Sequence, residues 1–232
     1  MDNIYEKIKA ELAANIDLKY KAFNDPIANS EYKTLGVRIP VIKKLVKSIA
    51  IADRDKFMED FFADPDKTFE SVLIAGMLAA KKGEYYSQTR DHLAHVVPLF
   101  GSWAHVDCVT PCLKWADADA LYDNFRYLLD CEGQYEKRFY IMIMFSCCLN
   151  DEYIDRVSET LCYNISYGQY YVDMAAAWLL AECLVKYYDK TLPLFTSVHF
   201  PKFVHNKALQ KARESFRISP ETKAYLNTLK IK

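Results

Sequence analysis

Glycine and proline are scarce in this chain, with 6 and 8 among 232 residues. Sandwiches and barrels need many tight turns, and turns draw on these two residues. Their shortage argues against both architectures and favours long helices with short connections. Strand-like alternation of apolar and polar residues is hard to find over more than a few positions. Long apolar runs are also missing, and none approaches the ~20 residues that a membrane span requires. The opening segment, MDNIYEKIKAEL, is amphipathic and mixed in charge, unlike a secretory leader. A cytoplasmic protein with no membrane partner is expected. Neither sign of charge is in excess: 30 Lys and Arg face 31 Asp and Glu, a formal net charge of −1. By itself that balance does not point to nucleic acid.

The cysteines lack the spacing of a metal knuckle. The seven are Cys108, Cys112, Cys131, Cys147, Cys148, Cys162 and Cys183. Cys108 and Cys112 are one helical turn apart, Cys147 and Cys148 adjoin, and no His partners either pair at zinc-like spacing. An odd count without a compact framework predicts reduced thiols that pack as small apolar residues. No metal is expected.

What the sequence does have is helical periodicity almost throughout. Ile4, Ile8 and Leu12 keep i, i+4 spacing, as do Leu73 and Met77. Breaks recur at Asn24-Asp25-Pro26, Gly36 to Pro40, Asp64-Pro65-Asp66, Lys82-Gly83, Pro98 to Ser102, Glu132-Gly133, Asn150-Asp151, Tyr167-Gly168, His199 to Pro201 and Ser219-Pro220. Pro40, Pro201 and Pro220 each precede an amphipathic run, where proline is preorganised for a helix start. Ser219 and Asp151 are candidate N-caps. About a dozen helices joined by short turns should pack as antiparallel pairs. Repeated along the chain, this gives an all-α, HEAT-like solenoid with repeats of roughly 40 residues. No linker divides it, so residues 1–232 are expected to form a single domain. One helix of each pair would line a concave face, and exposed residues there would carry the function.

Four segments could carry chemistry. In Gly101-Ser102-Trp103-Ala104-His105-Val106-Asp107, Trp103 and Asp107 fall on one helix face, a turn apart. A carboxylate beside an indole suits an electron-poor or cationic ligand. On pattern alone, a buried Trp with the acid as a cap or ion-pair partner is the commoner arrangement. Arg138 and Lys137 open the apolar run from Ile141 to Leu149. A cation is unfavourable at a helix start, which hints at an outside anion; Glu136 or Asp130 could equally be its partner. Around Trp178, the run Ala175-Ala176-Ala177 allows close helix approach, and a core Trp is the default there. Finally, Lys33, Arg38, Lys43, Lys44 and Lys47 form a stretch with no acid. Lys202, Lys207, Lys211, Arg213 and Arg217 form another, opposed only by Glu214. Two basic helices could track a phosphate backbone, although charge runs are usually ordinary solvated faces.

Read in order, these segments resemble the AlkD-type DNA alkylation repair glycosylase family. The resemblance rests on Leu35-Gly36-Val37-Arg38-Ile39-Pro40 before a basic helix, Ser102-Trp103-x-x-x-Asp107, Arg138 before an apolar helix, Ala177-Trp178-Leu179-Leu180, and the basic C-terminal helix. It implies a HEAT-like solenoid that holds duplex DNA containing alkylated bases and excises cationic N3- or N7-alkylated purines. It implies that Asp107 is the catalytic carboxylate, that Trp103 and Trp178 flank the deoxyribose, and that Arg138 contacts the nearby backbone. Arg38, Lys43, Lys44, Lys47, Lys202, Lys207, Lys211 and Arg213 would grip phosphates. A monomeric, monofunctional enzyme with no metal and no organic cofactor follows. His105, between the key Trp and Asp, and Asp173, shortly before Trp178, depart from the family pattern; Asp173 would add negative charge near a DNA face. A non-catalytic solenoid that binds DNA structures, or a protein scaffold, is the alternative.

Overall fold

The computed structural model describes residues 3–197 and 199–232. The described residues form fourteen α-helices, with short 3₁₀ turns and one π turn between them, and no strand. No helix among them is long and apolar enough to cross a membrane. The chain falls into two compact units, Met1–Ala116 and Asp117–Lys232.

The first unit holds α1 (Ile4–Ala14), α2 (Leu18–Ala28), α3 (Ile39–Ser48), α4 (Arg54–Ala63), α5 (Phe69–Ala79), α6 (Tyr86–Val96) and α7 (Trp103–Val109). Every residue of α5 is buried, so it is the axle of this unit. It packs against α3 on one side and α7 on the other. Stacking every second helix in this way is how helical repeats build a continuous core.

The second unit repeats the scheme. It holds α8 (Ala118–Asn124), α9 (Gln134–Ile143), α10 (Ile154–Tyr163), α11 (Tyr170–Lys186), α12 (Tyr188–Thr196), α13 (Lys202–Glu214) and α14 (Pro220–Thr228). Here α11 lies between α9 and α13. Ala175, Ala176 and Ala177 are fully buried, which lets the backbones approach as their small size predicts. The all-α repeat architecture expected from periodicity is present in each unit.

The loop before α3 is fixed by a buried acid. Glu70, 1% exposed in the first turn of α5, accepts hydrogen bonds from the N–H groups of Leu35 (2.9 Å), Gly36 (2.8 Å) and Val37 (3.1 Å). Phe69 N–H in turn donates to the Lys33 carbonyl at 3.0 Å. Gly36 has φ +94, and a Cβ there would lie 2.5 Å from Lys21 Cβ, so no other residue fits without strain. The Leu-Gly-Val-Arg motif is thus a carboxylate cradle built from backbone.

A second tie sets α7. Ser102 Oγ donates to the Ala28 carbonyl at 2.7 Å, and Trp103 Nε1 donates to the Ile27 carbonyl at 3.0 Å. Both receive the end of α2, which stops at Asn29 in the left-handed region (φ 42). His105 is fully buried and stacks on Phe69 with ring centroids 4.5 Å apart. Its Nδ1 accepts from Gly101 N–H at 3.2 Å, so Nε2 carries the proton and donates to the Phe69 carbonyl at 3.0 Å. Burial pushes its pKa down to about 4. His105 is therefore a neutral core residue, and its departure from the family pattern has an architectural cause.

Some local expectations change. The Asn24-Asp25-Pro26 break is absent because α2 runs through Pro26 to Ala28. Proline is tolerated there because the helix ends within a turn and few bonds are lost. Asp151 does not cap α10, whose N-cap position is Tyr153 with no side-chain cap bond; Asn150 Oδ1 instead holds the turn before it, accepting from Glu152 N–H and Tyr153 N–H at 3.0 and 3.1 Å. Ser219 caps α14 as expected, accepting from Thr222 N–H at 3.2 Å. Among the cysteines, Cys148 and Cys183 are buried and the other five are half-buried.

Two outcomes follow. Glu70→Gln places an amide donor against backbone donors and should reduce unfolding free energy by about 2–3 kcal/mol, read by urea denaturation. A change inside about 0.5 kcal/mol, typical of a surface site, would remove the cradle from its structural role. For His105, the folded pKa lies below the unfolded value of about 6.5. Its stabilisation is complete above that value and is lost as pH falls towards about 4. Thermal midpoints should drop between pH 7 and pH 5 in wild type and drop less in His105→Gln, whose side chain does not titrate. Equal slopes in the two proteins would contradict this assignment.

Candidate active site

The stacking of α3, α5 and α7 brings together residues far apart in sequence. A cavity of about 510 Å³ opens beside α7 and is lined by Lys43 and Lys47 of α3, Lys81 and Lys82 after α5, and Asp107 and Cys108 of α7, among others. Asp107 is half-buried in this wall. Two of the expected phosphate-gripping lysines thus share a cavity with the expected carboxylate. Lys43, Lys47 and Lys82 are exposed. Among the described residues, none of the three has an acidic side chain within ion-pair distance. Their charge is free to act on an incoming anion.

Lys81 and Lys82 are the residues that sequence reasoning missed. Their signal was present, because Lys82-Gly83 marked a break, but a turn beside an apolar helix gave no reason to place them near Asp107. Three bonds pin this turn. Trp115 Nε1 donates to the Ala80 carbonyl at 3.0 Å, Arg54 Nη1 donates to the Lys81 carbonyl at 3.3 Å, and Lys81 Nζ donates to the Ile49 carbonyl at 2.6 Å. Arg54 is only 2% exposed, an unusual expense of a cation on holding a turn.

The remaining first-unit residues lie elsewhere. Trp103, half-buried one turn before Asp107, does not line the cavity; its indole N–H is committed to the α2 terminus. Arg38 is exposed but bound to Asp17, with Nε and Nη2 at 3.0 and 2.9 Å from Oδ2, and it stacks over Tyr20. An acid outside the local stretch therefore opposes the basic run. Lys44 is exposed and does not line the cavity. Burial pushes the Cys108 thiol up to about 11, although the neighbouring Lys43 acts against it, so this thiol stays protonated and is a poor nucleophile.

In the second unit, Trp178 is 37% exposed on α11. Phe145, in the π turn Met144–Cys148 that follows α9, lies against it with ring centroids 4.7 Å apart. Lys211 Nζ of α13 sits 5.7 Å from the Trp178 ring centroid. Trp178 and Lys211 line a cavity of about 290 Å³ with Glu182 and Arg217. Arg217 pairs with both oxygens of Glu182 at 2.9 and 2.6 Å. Arg138 of α9 is 5% exposed, and its Nη1 donates to the Tyr171 carbonyl at 2.9 Å. Asp173 is 8% exposed and accepts from Gly168 N–H at 2.9 Å. It braces the loop before α11 and does not present its charge outward as expected. Lys202, Lys207 and Arg213 line a different groove from Lys211, so α13 serves two sites, not one track.

Among the described residues, no group of three His, Cys, Asp or Glu is placed to hold a metal ion. No curated protein and no solved structure matches the chain. The sequence pattern of the family described as DNA alkylation repair enzyme matches residues 8–214. That span takes in the cradle motif, Trp103 and Asp107, Arg138, Trp178 and all of the basic α13. It assigns the protein an enzymatic role in alkylation repair with DNA as partner: the chain belongs to the DNA alkylation repair enzyme family.

Proposed function

We propose that the protein is a monofunctional DNA glycosylase that removes cationic N3- and N7-alkylated purines from duplex DNA. The observation that carries this reading is Asp107 in the wall of a cavity that four lysines, Lys43, Lys47, Lys81 and Lys82, also line. An acid costs DNA affinity in such a place, because lysines attract phosphates and a carboxylate repels them. It repays that cost where positive charge develops beside it during the reaction.

Base excision supplies that charge. The alkylated purine already carries a positive charge, so it leaves as a neutral base and needs no proton donor. As the glycosidic bond breaks, the bonding pair departs with the base and the sugar becomes cationic. Asp107 stabilises that cation, and it accepts the proton of the water that adds to the sugar carbon. The indoles of Trp103 and Trp178 add cation–π stabilisation in this reading. Arg138, nearly buried, acts by holding the first turn of α11, from which Trp178 projects. Lys43, Lys44, Lys47, Lys202, Lys207, Lys211, Arg213 and Arg38 contact the phosphate backbone, Arg38 after exchanging Asp17 for phosphate. Residues 1–232 then work as one functional domain, as a cytoplasmic monomer that needs neither metal nor organic cofactor.

Purified protein should release 7-methylguanine or 3-methyladenine from methylated duplex DNA. Asp107→Asn should slow release by at least 100-fold with unchanged circular dichroism. Wild type that releases no modified base at high enzyme concentration would end the enzymatic reading; DNA binding retained in that case would leave a non-catalytic binder. Lys43→Ala and Lys47→Ala should each weaken duplex binding and reduce the salt slope by about one. Unchanged slopes would place the phosphate track elsewhere.

A further inference from the structure

A third cavity contains neither Asp107 nor Trp178, although Lys202, Lys207 and Arg213 in its wall are among the cations proposed to reach duplex phosphates. It is an open groove of about 1110 Å³ along α13 and α14, lined by Lys202, Phe203, Lys207 and Arg213 of α13, Lys223 of α14 and Lys230 beyond it. Its lining runs the length of α13, from Lys202 to Glu214, a shape that suits an extended polymer.

The charge is one-sided. Five cations line the groove, and the one acid among its described lining residues is Glu214. Gln210 Nε2 donates to Glu214 Oε1 at 2.9 Å. Two of the five are braced by neutral amides: Lys207 Nζ donates to Gln210 Oε1 at 3.0 Å, and Arg213 donates to the Asn227 side chain of α14. Such braces orient the cations without cancelling them, and the groove stays attractive to a polyanion.

Aromatic rings stand at its edge. Phe203 is 43% exposed, and Tyr170, from the start of α11, is 59% exposed; their centroids are 6.1 Å apart. Water is a poor neighbour for two large rings. A duplex gives them little relief, because its base faces are stacked inside. An unpaired base offers a face, and aromatic platforms beside a basic groove are how proteins hold single strands.

We propose that this groove binds single-stranded DNA, with phosphates along the lysines and a base stacked on the Phe203–Tyr170 platform. The proposal goes beyond excision chemistry and does not depend on it, since the strand needs no lesion.

The test is fluorescence anisotropy with the full-length protein, using an unmodified oligothymidine and a blunt duplex of equal length. Wild type should bind the single strand, and Phe203→Leu should weaken that binding by on the order of tenfold while duplex affinity holds. Tyr170→Leu gives the same readout from the second ring if the first variant folds poorly. Lys223→Ala with Lys230→Ala should flatten the single-strand salt slope by about 1.4. Single-strand affinity unchanged in both ring variants overturns the proposal. So does tighter binding of oligouridine RNA, or of polyglutamate, than of the oligothymidine. Base release is measured separately on methylated duplex, so failure of either reading leaves the other standing.

Discussion

A buried carboxylate held by three backbone N–H groups sets where α3 begins, and with it the lysines of the first unit's cavity. The Glu70 carboxyl group, at 1% exposure, needs such partners, because a buried polar group left unpaired is costly. The cradle of Leu35, Gly36 and Val37 satisfies both of its oxygens and so fixes the chain just before α3 begins. From that fixed start, the helical repeat turns Lys43 and Lys47 toward the cavity that Asp107 lines. The other wall is fixed at its own origin, where Ser102 and Trp103 grip the end of α2. Lys43 and Lys47 on one wall, and Asp107 on the other, are thus set by the termini of the helices that carry them.

A net charge of −1 conceals a division of labour among the cations. One set is consumed by structure: Arg38 on Asp17, Arg217 on Glu182, Lys190 on Asp155, and Arg156 on Asp119 and Asp123. A second set, Lys43, Lys47 and Lys82, lines a cavity without such partners among the described residues. A third is braced by amides along α13 and α14. Overall charge averages over these sets, but an approaching polyanion does not, because screening at physiological salt confines its attention to about 8 Å.

Helix content and repeat stacking were legible because they follow from periodicity, which is local in sequence. The break at Pro26 was misleading for a local reason too: proline ends helices in the interior, and here it falls in a last turn. The purpose of Gly36 was not legible, since the acid it serves lies 34 residues away. His105 read as an anomaly between two functional residues, and only the third dimension reveals Phe69 beneath it. Asp173 read as surface charge because nothing in the sequence announces that it folds back onto Gly168. At the candidate site, Asp107, Lys43 and Lys47 came from motif and charge run. Lys81 and Lys82 escaped because their relevance is created by packing α5 between α3 and α7.

Two tryptophans lie four residues before an acid on the same helix, Trp103 before Asp107 on α7 and Trp178 before Glu182 on α11, and spacing cannot tell the pairs apart. Their surroundings do. Burial alone would push the Glu182 pKa up, yet the bonds and charges of Arg217 and Lys186 bring it down on balance. A carboxylate clamped at both oxygens by a guanidinium has its charge spent on joining α11 to the segment after α13. It cannot also follow a cation that forms and vanishes on a sugar. The nearby indole is likewise engaged, with the Lys211 ammonium over its ring. Glu182 is therefore a structural carboxylate, and Trp178 is an indole with one face under an ammonium, both fixed by cations from beyond α11.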